Sequence, residues 1–352
     1  MEASVVVPTW NKAAYLELTL ASLLHQSFDR SRYEVIVVDD GSNDTTNTIL
    51  EYFAAQAWNF RAIRQANAGR SAARNAGVRA AKGRITIFID DDCLCDHHLV
   101  AAHVACHAGV SNKAVMGLCS SMITHIPLNR EQYRQGLKEM AGHDHPVPEH
   151  PSVLQAIENA LAALPDAFNL ISIEDISQQP EKVRALSIPN SNPNDYYAFE
   201  HIATVSQSCP WNWFITRNAS VDTDTLLRVG LFDEDFQGWG GEDIELGYRL
   251  CRAGVQFDAT LDAVIYHQAH PRSMKAARLE WVYNYVKFCK KYEQPEVYLM
   301  WQLFEQMISP HEYEQIIIQL RAGCLSEAEI DAIKKRYDEY IAESMQTDLE
   351  TV

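Results

Sequence analysis

Residues 87–93 read IFIDDDC, an apolar run that ends in three consecutive aspartates. Adjacent carboxylates repel one another, so a cation is expected opposite them. On an ideal strand, Asp90 and Asp92 would face the same side and Asp91 the other. Carboxylate oxygens clustered at a strand end suit a hard divalent cation, which would also offset an incoming diphosphate. The stretch therefore predicts a metal site that includes Asp92 and Asp90.

The strand before these aspartates belongs to a repeating pattern of strands and helices. Continuous apolar runs predict buried strands at ASVVVPT (3–9), YEVIVVDDGS (33–42), RAIRQ (61–65) and RITIFIDDD (84–92). Between them we expect an amphipathic helix capped near Asn11, a helix after SNDTT, and a third in NAGRSAARNAGVRAAKG (67–83). This alternation predicts an α/β fold, with parallel strands joined by right-handed crossovers.

Polar residues follow three of these strands. They are Pro8-Thr9, Asp39-Asp40-Gly41-Ser42 and Asp90-Asp91-Asp92. One acidic turn is ordinary after a strand, but in open α/β sheets ligands bind beyond the carboxyl ends, and two acidic turns at that edge indicate a site. GxxxxGK[ST] and GxGxxG are missing from the first strand–helix turn, which argues against an ATPase or a dehydrogenase of those types.

Composition excludes several classes of protein. The 352 residues carry a net charge of −17, which argues against binding to nucleic acid or to an anionic membrane. No window is apolar enough for a membrane span, and the first residues lack the basic start of a secretory signal. Eight scattered cysteines are expected to be reduced thiols, so we expect a cytoplasmic protein.

Cysteine and histidine residues are concentrated in CLCDHHLVAAHVACH (93–107). These side chains could ligate zinc, but the stretch has no CxxC pair. His103, Cys106 and His107 also fit a helix that packs beside the strand. The second interpretation is favoured, and the sequence leaves zinc binding open.

Two later motifs offer chemistry. The first, GWGGED (238–243), places a Trp and glycines before Glu242-Asp243 at the start of a helix. A carboxylate there could act as a general base toward a sugar hydroxyl. Alternatively, it could simply complement the helix dipole. DAVIYHQAH (262–270) brings His267 and His270 to a strand end. Imidazole suits Mn²⁺, so His267 is a candidate third ligand, although a structural role is the ordinary alternative.

Three stretches of the first half resemble the nucleotide-binding half of family 2 glycosyltransferases of the GT-A fold. They are SVVVPTWNKAAYL, VIVVDDGSNDTT and the run from Asn67 to Asp92. GWGGEDIELGYRL resembles the acceptor-side motif of galactosyltransferase-like and chondroitin-polymerase-like enzymes. The resemblance covers about residues 3–118 and 208–270. It implies a Rossmann-like, mostly parallel sheet, with a nucleotide-sugar-binding half at 1–118 and an acceptor-binding half at 119–271. A loop-rich insertion is expected at about 120–205, and a helical extension at 272–352 that docks on the main domain or on a partner subunit.

The same resemblance implies roles for single residues. Pro8 and Thr9 would line the nucleotide pocket, Asp40 would bind uracil, and Asp90 or Asp91 would approach the ribose. Arg70 and Arg74 would contact the diphosphate or form structural ion pairs. Asp92 would hold the metal, with His267 completing the site. In the acceptor half, Asp243 is the implied base and Glu242 orients a sugar, on which Trp239 would stack beside Gly240 and Gly241.

The activity implied is inverting, Mn²⁺- or Mg²⁺-dependent transfer from a UDP-sugar to a hydroxyl of a saccharide, lipid-linked or peptide acceptor. A lipid-linked acceptor would require peripheral membrane docking. A non-catalytic nucleotide-sugar-binding subunit is the alternative. A sugar-nucleotide pyrophosphorylase is less favoured, because PTWNKAAY stands where that class has a glycine-rich, basic loop.

Overall fold

The computed structural model describes residues 1–122, 124–126, 168–169, 171–185, 187–188, 209–268, 270 and 274–349. Most of the predicted insertion lies outside the described residues, including a helix expected in LQAIENALAAL (154–164).

The described strands are β1 (Ala3–Thr9), β2 (Tyr33–Asp39), β3 (Phe60–Arg64), β4 (Ile85–Ile89), β5 (Cys93–Cys95), β6 (Lys113–Met122), β7 (His125–Ile126), β8 (Phe168–Asn169), β9 (Ser187–Ile188), β10 (Asn218–Asp222) and β11 (Gln256–Gln268). The helices are α1 (Ala13–Leu24), α2 (Thr46–Ala54), α3 (Arg70–Ala80), α4 (Leu99–Cys106), α5 (Ile173–Gln178), α6 (Pro180–Ala185), α7 (Thr223–Val229), α8 (Glu242–Arg252), α9 (Met274–Tyr292), α10 (Pro295–Phe304), α11 (Pro310–Arg321) and α12 (Glu327–Leu349), with a short 3-10 helix at Pro210–Trp213.

The first half of the chain forms the predicted parallel sheet. β1 pairs in parallel with β2 and β4, and β2 pairs in parallel with β3. Both faces are covered, because α1, α2 and α4 pack on one side while α3 and α8 pack on the other. Double-sided burial explains why these strands are continuous apolar runs.

The second half extends the sheet with mixed pairing. The order is β3-β2-β1-β4-β10-β6-β11-β5, with β9 beside β6, and β7 and β8 pair separately. β10 is antiparallel to β4 and β6, whereas β11 is parallel to β6 and antiparallel to β5. This curled part of the sheet brings the end of β11 back to the turn after β4.

One predicted boundary and one predicted helix cap are wrong. β4 ends at Ile89 instead of running through Asp92, because its ladder with β10 stops at Ile89 and the chain turns there to form β5. The alternation of facing sides therefore does not apply to the three aspartates. Helix α1 is also not capped by Asn11, whose side chain accepts a hydrogen bond from the Asn43 amide. A carboxylate oxygen of Asp44 instead accepts the Ala13 amide at 3.1 Å.

Helix α3 approaches the sheet unusually closely. A Cβ added at Gly77 would lie 2.4 Å from Cγ1 of Val6 on β1, so any larger residue would require Val6 or α3 to shift. Arg74, in the first half of α3, contacts Asp90 just beyond the carboxyl end of β4, where the candidate site lies.

The C-terminal helices dock on the main domain, which is one of the two alternatives predicted for them. Tyr285 and Phe288 of α9 are buried against Trp211 and Tyr248, in a cluster that also includes α10, α11 and α12. Tyr283, on the opposite stripe of α9, is 60% exposed. None of the helices in the described ranges is both long and apolar enough to cross a bilayer.

Candidate active site

The three consecutive aspartates meet different partners. Asp90 forms an ion pair of 2.8 Å with Arg74, which is fully buried. Asp92 faces Lys12 and two histidines. Burial and the neighbouring Asp92 raise the pKa of Asp91 to about 7, against a smaller opposing effect of Lys12. The repulsion is therefore relieved by two separate cationic groups and by weakened ionisation of the middle carboxyl.

Asp92 is the centre of a compact cluster. Its Oδ2 lies 2.9 Å from Nε2 of His270 and 2.9 Å from Nζ of Lys12, and its Oδ1 lies 3.6 Å from Nε2 of His267. The Lys12 ammonium also lies 2.7 Å from Nε2 of His270. Burial opposes ionisation of Asp92, but His267, which is protonated at the acidic pH where Asp92 titrates, and Lys12 hold the pKa of Asp92 well below the ordinary value.

Backbone pairing explains how the histidines reach Asp92. His267 lies opposite Cys93 in the ladder between β11 and β5, and the Gln268 amide donates to the Asp92 carbonyl at 2.8 Å. The Gln268 side chain in turn donates to the Tyr15 carbonyl, which fixes the start of α1 and hence Lys12 nearby. Three distant segments thus converge on one carboxylate.

The cluster has the ligands for a divalent cation. One donor atom from each of Asp92, His267 and His270 lies within 4.8 Å of the others. In octahedral coordination with bonds of about 2.1 Å, adjacent ligands are about 3 Å apart. The 2.9 Å between Asp92 Oδ2 and His270 Nε2 matches that spacing. Burial lowers the pKa of His267 to about 4, so its imidazole is neutral at pH 7 and keeps a lone pair for a metal. The residues present therefore fit Mn²⁺ or Mg²⁺, with imidazole favouring Mn²⁺.

The structure does not bring Asp90 to this group. Asp90 pairs with Arg74 instead, since the turn after Ile89 directs it toward α3. His270, which the sequence analysis did not choose as a ligand, lies in this group instead. The predicted ligands Asp92 and His267 do lie together.

The nucleotide-side residues lie at the same sheet edge. Pro8 and Thr9 are buried at the end of β1. Asp40 follows β2; its Oδ1 accepts Gln65 Nε2 at 2.7 Å and the Ala68 amide at 2.9 Å, and its Oδ2 accepts the Gly69 amide at 2.8 Å. Each carboxylate oxygen can accept two hydrogen bonds, so Oδ2 keeps capacity for one more donor. Asp40 thus shapes the loop that leads into α3.

Helix α3 connects the two halves of the site through Arg74. The guanidinium donates to Asp90 at 2.8 Å and to Oε1 of Glu242 at 3.0 Å, although 168 residues separate Arg74 from Glu242. Burial alone would lower the pKa of Arg74, but Asp90, Glu242 and Asp243 raise it above the ordinary value. Arg70 is more exposed and lies 3.8 Å from the same Glu242 oxygen. These ion pairs agree with the structural role predicted for Arg74, and the diphosphate contact stays a prediction.

Asp243 has the electrostatics of a general base. It is half-buried, and its carboxylate accepts the Ile244 amide at 2.9 Å and the Thr216 amide at 3.3 Å. Burial and the adjacent Glu242 raise its pKa to about 7, despite the opposing effect of Arg74. A carboxyl that titrates near neutral pH can accept a proton strongly and still be ionised in a useful fraction of molecules.

The loop before Asp243 fixes the direction of α8. Gly241 has a φ of 92°, in the left-handed region, and begins the helix. Trp239 donates its amide to Glu280, and the Gly240 carbonyl accepts Asn284 Nδ2 at 2.7 Å, so α9 holds this loop. Among the described residues, Oε2 of the buried Glu242 has no hydrogen-bond partner. A buried carboxylate oxygen in that state is available to a ligand hydroxyl.

The Cys93–His107 stretch forms the predicted helix. His103 makes hydrogen bonds through both ring nitrogens, 2.8 Å to Ser220 and 2.9 Å to Asn218, and burial lowers its pKa to about 4. Cys93 and Cys95 lie in β5 as buried thiols. In the part of the chain that the structure describes, these side chains do not meet as a group of metal ligands.

Sequence reasoning missed Lys12 as part of the site. Its only local signal is a position three residues beyond Thr9, at the predicted ligand-binding edge. Asn75 was missed as well. Its side-chain amide donates to the Phe232 carbonyl at 2.9 Å and accepts the Phe232 amide at 2.8 Å, which attaches the segment before the GWGGED loop to α3.

Two family models match the chain. One, described as "Glycosyl transferase family 2", matches residues 4–117, which contain the parallel sheet and Asp92. The other, described as "N-terminal domain of galactosyltransferase", matches residues 200–271, which contain the GWGGED loop and both histidines.

Curated relatives carry related names. The uncharacterized glycosyltransferase YfnE of Bacillus subtilis (strain 168) is 34% identical over 281 residues, covering 78% of this chain and 67% of the relative. Validoxylamine A glucosyltransferase of Streptomyces hygroscopicus subsp. jinggangensis (strain 5008) is 30% identical over 303 residues, covering 85% of this chain and 63% of the relative. The chain thus spans about two thirds of the length of these two relatives.

A solved structure confirms the fold. Mannosyltransferase PcManGT from Pyrobaculum calidifontis, solved with GDP-Man and Mn²⁺, superposes with a TM-score of 0.53 at 18% identity, covering 99% of this chain and 84% of that one. The predicted GT-A fold, with its helical C-terminal region, is confirmed by this likeness.

Proposed function

The chain belongs to glycosyl transferase family 2, and we propose that it uses a UDP-sugar to glycosylate an acceptor hydroxyl by an inverting, metal-dependent reaction. Its activity as a nucleotide-sugar glycosyltransferase follows from the family. The donor base, the stereochemistry and the metal dependence are the parts that we propose.

One observation carries the proposal: a single buried arginine connects the candidate metal group to the candidate base. Arg74 binds Asp90, two residues before Asp92, and also binds Glu242, the residue before Asp243. A carboxylate that can accept a proton and a group that can hold a divalent ion are thereby fixed at one edge of the sheet. Transfer from a nucleotide diphosphate sugar needs both, one for the acceptor and one for the leaving group.

The mechanism assigns the proton to Asp243. Ionised Asp243 accepts the proton of the acceptor hydroxyl while that oxygen attacks C1 from the face opposite the diphosphate, through an oxocarbenium-like transition state. Glu242, held by Arg74 and carrying an unpaired oxygen among the described residues, orients a sugar hydroxyl. A divalent ion held by Asp92, His267 and His270 would stabilise negative charge on the departing diphosphate.

On the nucleotide side, Pro8 and Thr9 line the base pocket in this proposal, and the remaining acceptor capacity of Asp40 Oδ2 receives the uracil N–H. Asp91, next to the metal group, approaches the ribose. Trp239 provides the surface on which a sugar ring stacks.

We propose a polyhydroxylated acceptor, such as a saccharide. The name of the validoxylamine A enzyme supports a glycosylated small molecule of this kind. All eight cysteines are free thiols, which supports a reducing compartment such as the cytoplasm.

The test is a donor panel with product analysis. The purified protein is incubated with Mn²⁺, an oligosaccharide mixture and single UDP-sugars, with GDP-mannose as a separate arm because the PcManGT structure holds that donor. UDP release with formation of a glycoside supports the proposal, and NMR of the new anomeric centre tests inversion. Release of UTP with a sugar phosphate when pyrophosphate is added would indicate a pyrophosphorylase. UDP-sugar binding without turnover would indicate a binding subunit, and transfer from GDP-mannose alone would overturn the UDP assignment.

A further inference from the structure

The Lys12 ammonium lies at the point where the candidate metal ligands converge. Its Nζ is 2.9 Å from Asp92 Oδ2 and 2.7 Å from His270 Nε2, and those two atoms are 2.9 Å from each other. Three polar atoms therefore form a nearly equilateral triangle. The Lys12 and His270 side chains are 26% and 16% exposed, so the cluster is partly shielded from solvent.

Proton positions in this triangle are restricted. An ammonium group can only donate, so the imidazole Nε2 that it contacts must accept through its lone pair and carries no hydrogen. The same Nε2 then cannot donate to Asp92, and the two atoms present lone pairs toward one cation. That is the arrangement of two ligands around a metal ion, with a lysine nitrogen as the cation.

We propose that Lys12 is a resident counter-cation, which occupies the divalent ion's place between Asp92 and His270 until the ion displaces it. The inference rests on the metal-dependent reaction proposed above. Lys12 neutralises the buried Asp92 in a chain of net charge −17 and keeps the two ligands close together.

Displacement has a consequence for donor binding. Lys12 lies just beyond the end of β1, next to the residues proposed to line the nucleotide pocket. A displaced ammonium therefore stays at the sheet edge, where the donor diphosphate offers it new oxygen partners. A metal ion that binds alone must break the contacts of Lys12 with Asp92 and His270 without replacing them. When the diphosphate binds as well, its oxygens give the Lys12 ammonium new partners. The metal and the nucleotide should consequently bind with positive coupling, and Lys12 should supply part of it.

The experiment measures Mn²⁺ affinity by the EPR signal of free Mn²⁺, with and without UDP, for the wild type, Lys12→Met and Lys12→Gln. Lys82→Met is the matched control, because this exposed lysine precedes β4 at the opposite sheet edge and its loss makes the same charge change. Removing a unit charge at hydrogen-bond distance should tighten Mn²⁺ binding without UDP by about tenfold or more. The factor by which UDP increases Mn²⁺ affinity should shrink correspondingly, while Lys82→Met behaves as the wild type does.

Unchanged or weaker Mn²⁺ binding in both folded Lys12 variants, beside measurable binding by the wild type, would overturn the role of Lys12 and leave the proposed metal site intact. Absence of Mn²⁺ binding in every protein, even with UDP, would overturn the metal site itself and this inference with it. Far-UV circular dichroism establishes that each variant is folded.

Discussion

Replacing Asp243 with Asn should remove most of the activity and, at alkaline pH, make the protein more stable. The wild-type carboxyl has a pKa of about 7, against an ordinary value of 3.8, because partial burial and the adjacent Glu242 both disfavour its charge. Ionising it in the folded protein is therefore unfavourable, and the asparagine amide avoids that cost. The substitution keeps the shape of the side chain and one carbonyl acceptor for the Ile244 or Thr216 amide.

The sign and size follow from linkage. The pKa of this carboxyl is higher in the folded protein than in the unfolded chain. Its stabilising contribution to the folded state is therefore complete below the pKa of the unfolded chain and is lost as the pH rises through the pKa of the folded protein. A difference of about 3 pH units at 1.36 kcal/mol each sets an upper limit of about 4 kcal/mol at pH 8. The lost hydrogen bond to one amide costs about 1 kcal/mol. Because Asp243 is only half-buried and the hydrogen bond is lost, we expect Asp243→Asn to be about 1–3 kcal/mol more stable than the wild type at pH 8, with the advantage vanishing near pH 4.

Urea unfolding of both proteins at several pH values between 4 and 8 measures this difference. Asp235→Asn is the control, since it makes the same chemical change at an exposed position of the preceding loop. Turnover of Asp243→Asn should fall by about 10²–10⁴ while UDP affinity persists. Wild-type turnover should rise with pH with a midpoint near 7. A variant no more stable than the wild type at pH 8, or an advantage independent of pH, would refute the assigned electrostatics. Lost UDP affinity with near-normal turnover of the remaining complex would refute the role of base.

Three further results are expected. Arg74→Met should lower the free energy of unfolding by about 3–5 kcal/mol in a urea titration, because it leaves the buried Glu242 without its close partner. Arg70→Met should cost under about 1 kcal/mol, because Arg70 is exposed and its contact with Glu242 is longer. Equal losses in the two variants would contradict this distinction. Excess EDTA should abolish transfer and added Mn²⁺ should restore it, whereas full activity in EDTA would reject Asp92 as a metal ligand. Gly77→Ala should cost about 1–3 kcal/mol in thermal unfolding, since the added Cβ meets Val6 at 2.4 Å, and an unchanged melting temperature would show that α3 can move away.

The parallel half of the fold was predictable because its signals are local. The residues of β1, β2 and β4 are buried on both faces, so each strand is a continuous apolar run that needs no knowledge of its partners. The pairing of β5 with β11, and of β10 with β4 and β6, was not predictable. Short antiparallel strands that lie between distant segments have no periodicity of their own. The end of β4 was misplaced for the same reason: a partner strand decides where it stops.

Sequence motifs identified the carboxylates of the candidate site and one of the two histidines that lie beside Asp92 in the folded chain. Asp92, Asp243 and Glu242 were named from their runs and from family resemblance, and His267 from its place at a strand end. The second histidine carried the same local signal, but nothing local says which of two imidazoles three residues apart reaches a given aspartate.

By itself, the sequence determined which chemical groups this protein has and at which edge of the sheet they lie. In a parallel sheet built by strand–helix alternation, the carboxyl ends of all strands lie at the same edge. Only the tertiary structure decided which charge meets which. Arg74 reaches Glu242 across 168 residues, and Lys12 reaches His270 across 258. Electrostatic energy depends on distance in space and on burial, neither of which sequence separation reveals. A neutral-range pKa at Asp243 and a lysine between two metal ligands are therefore properties of the folded chain.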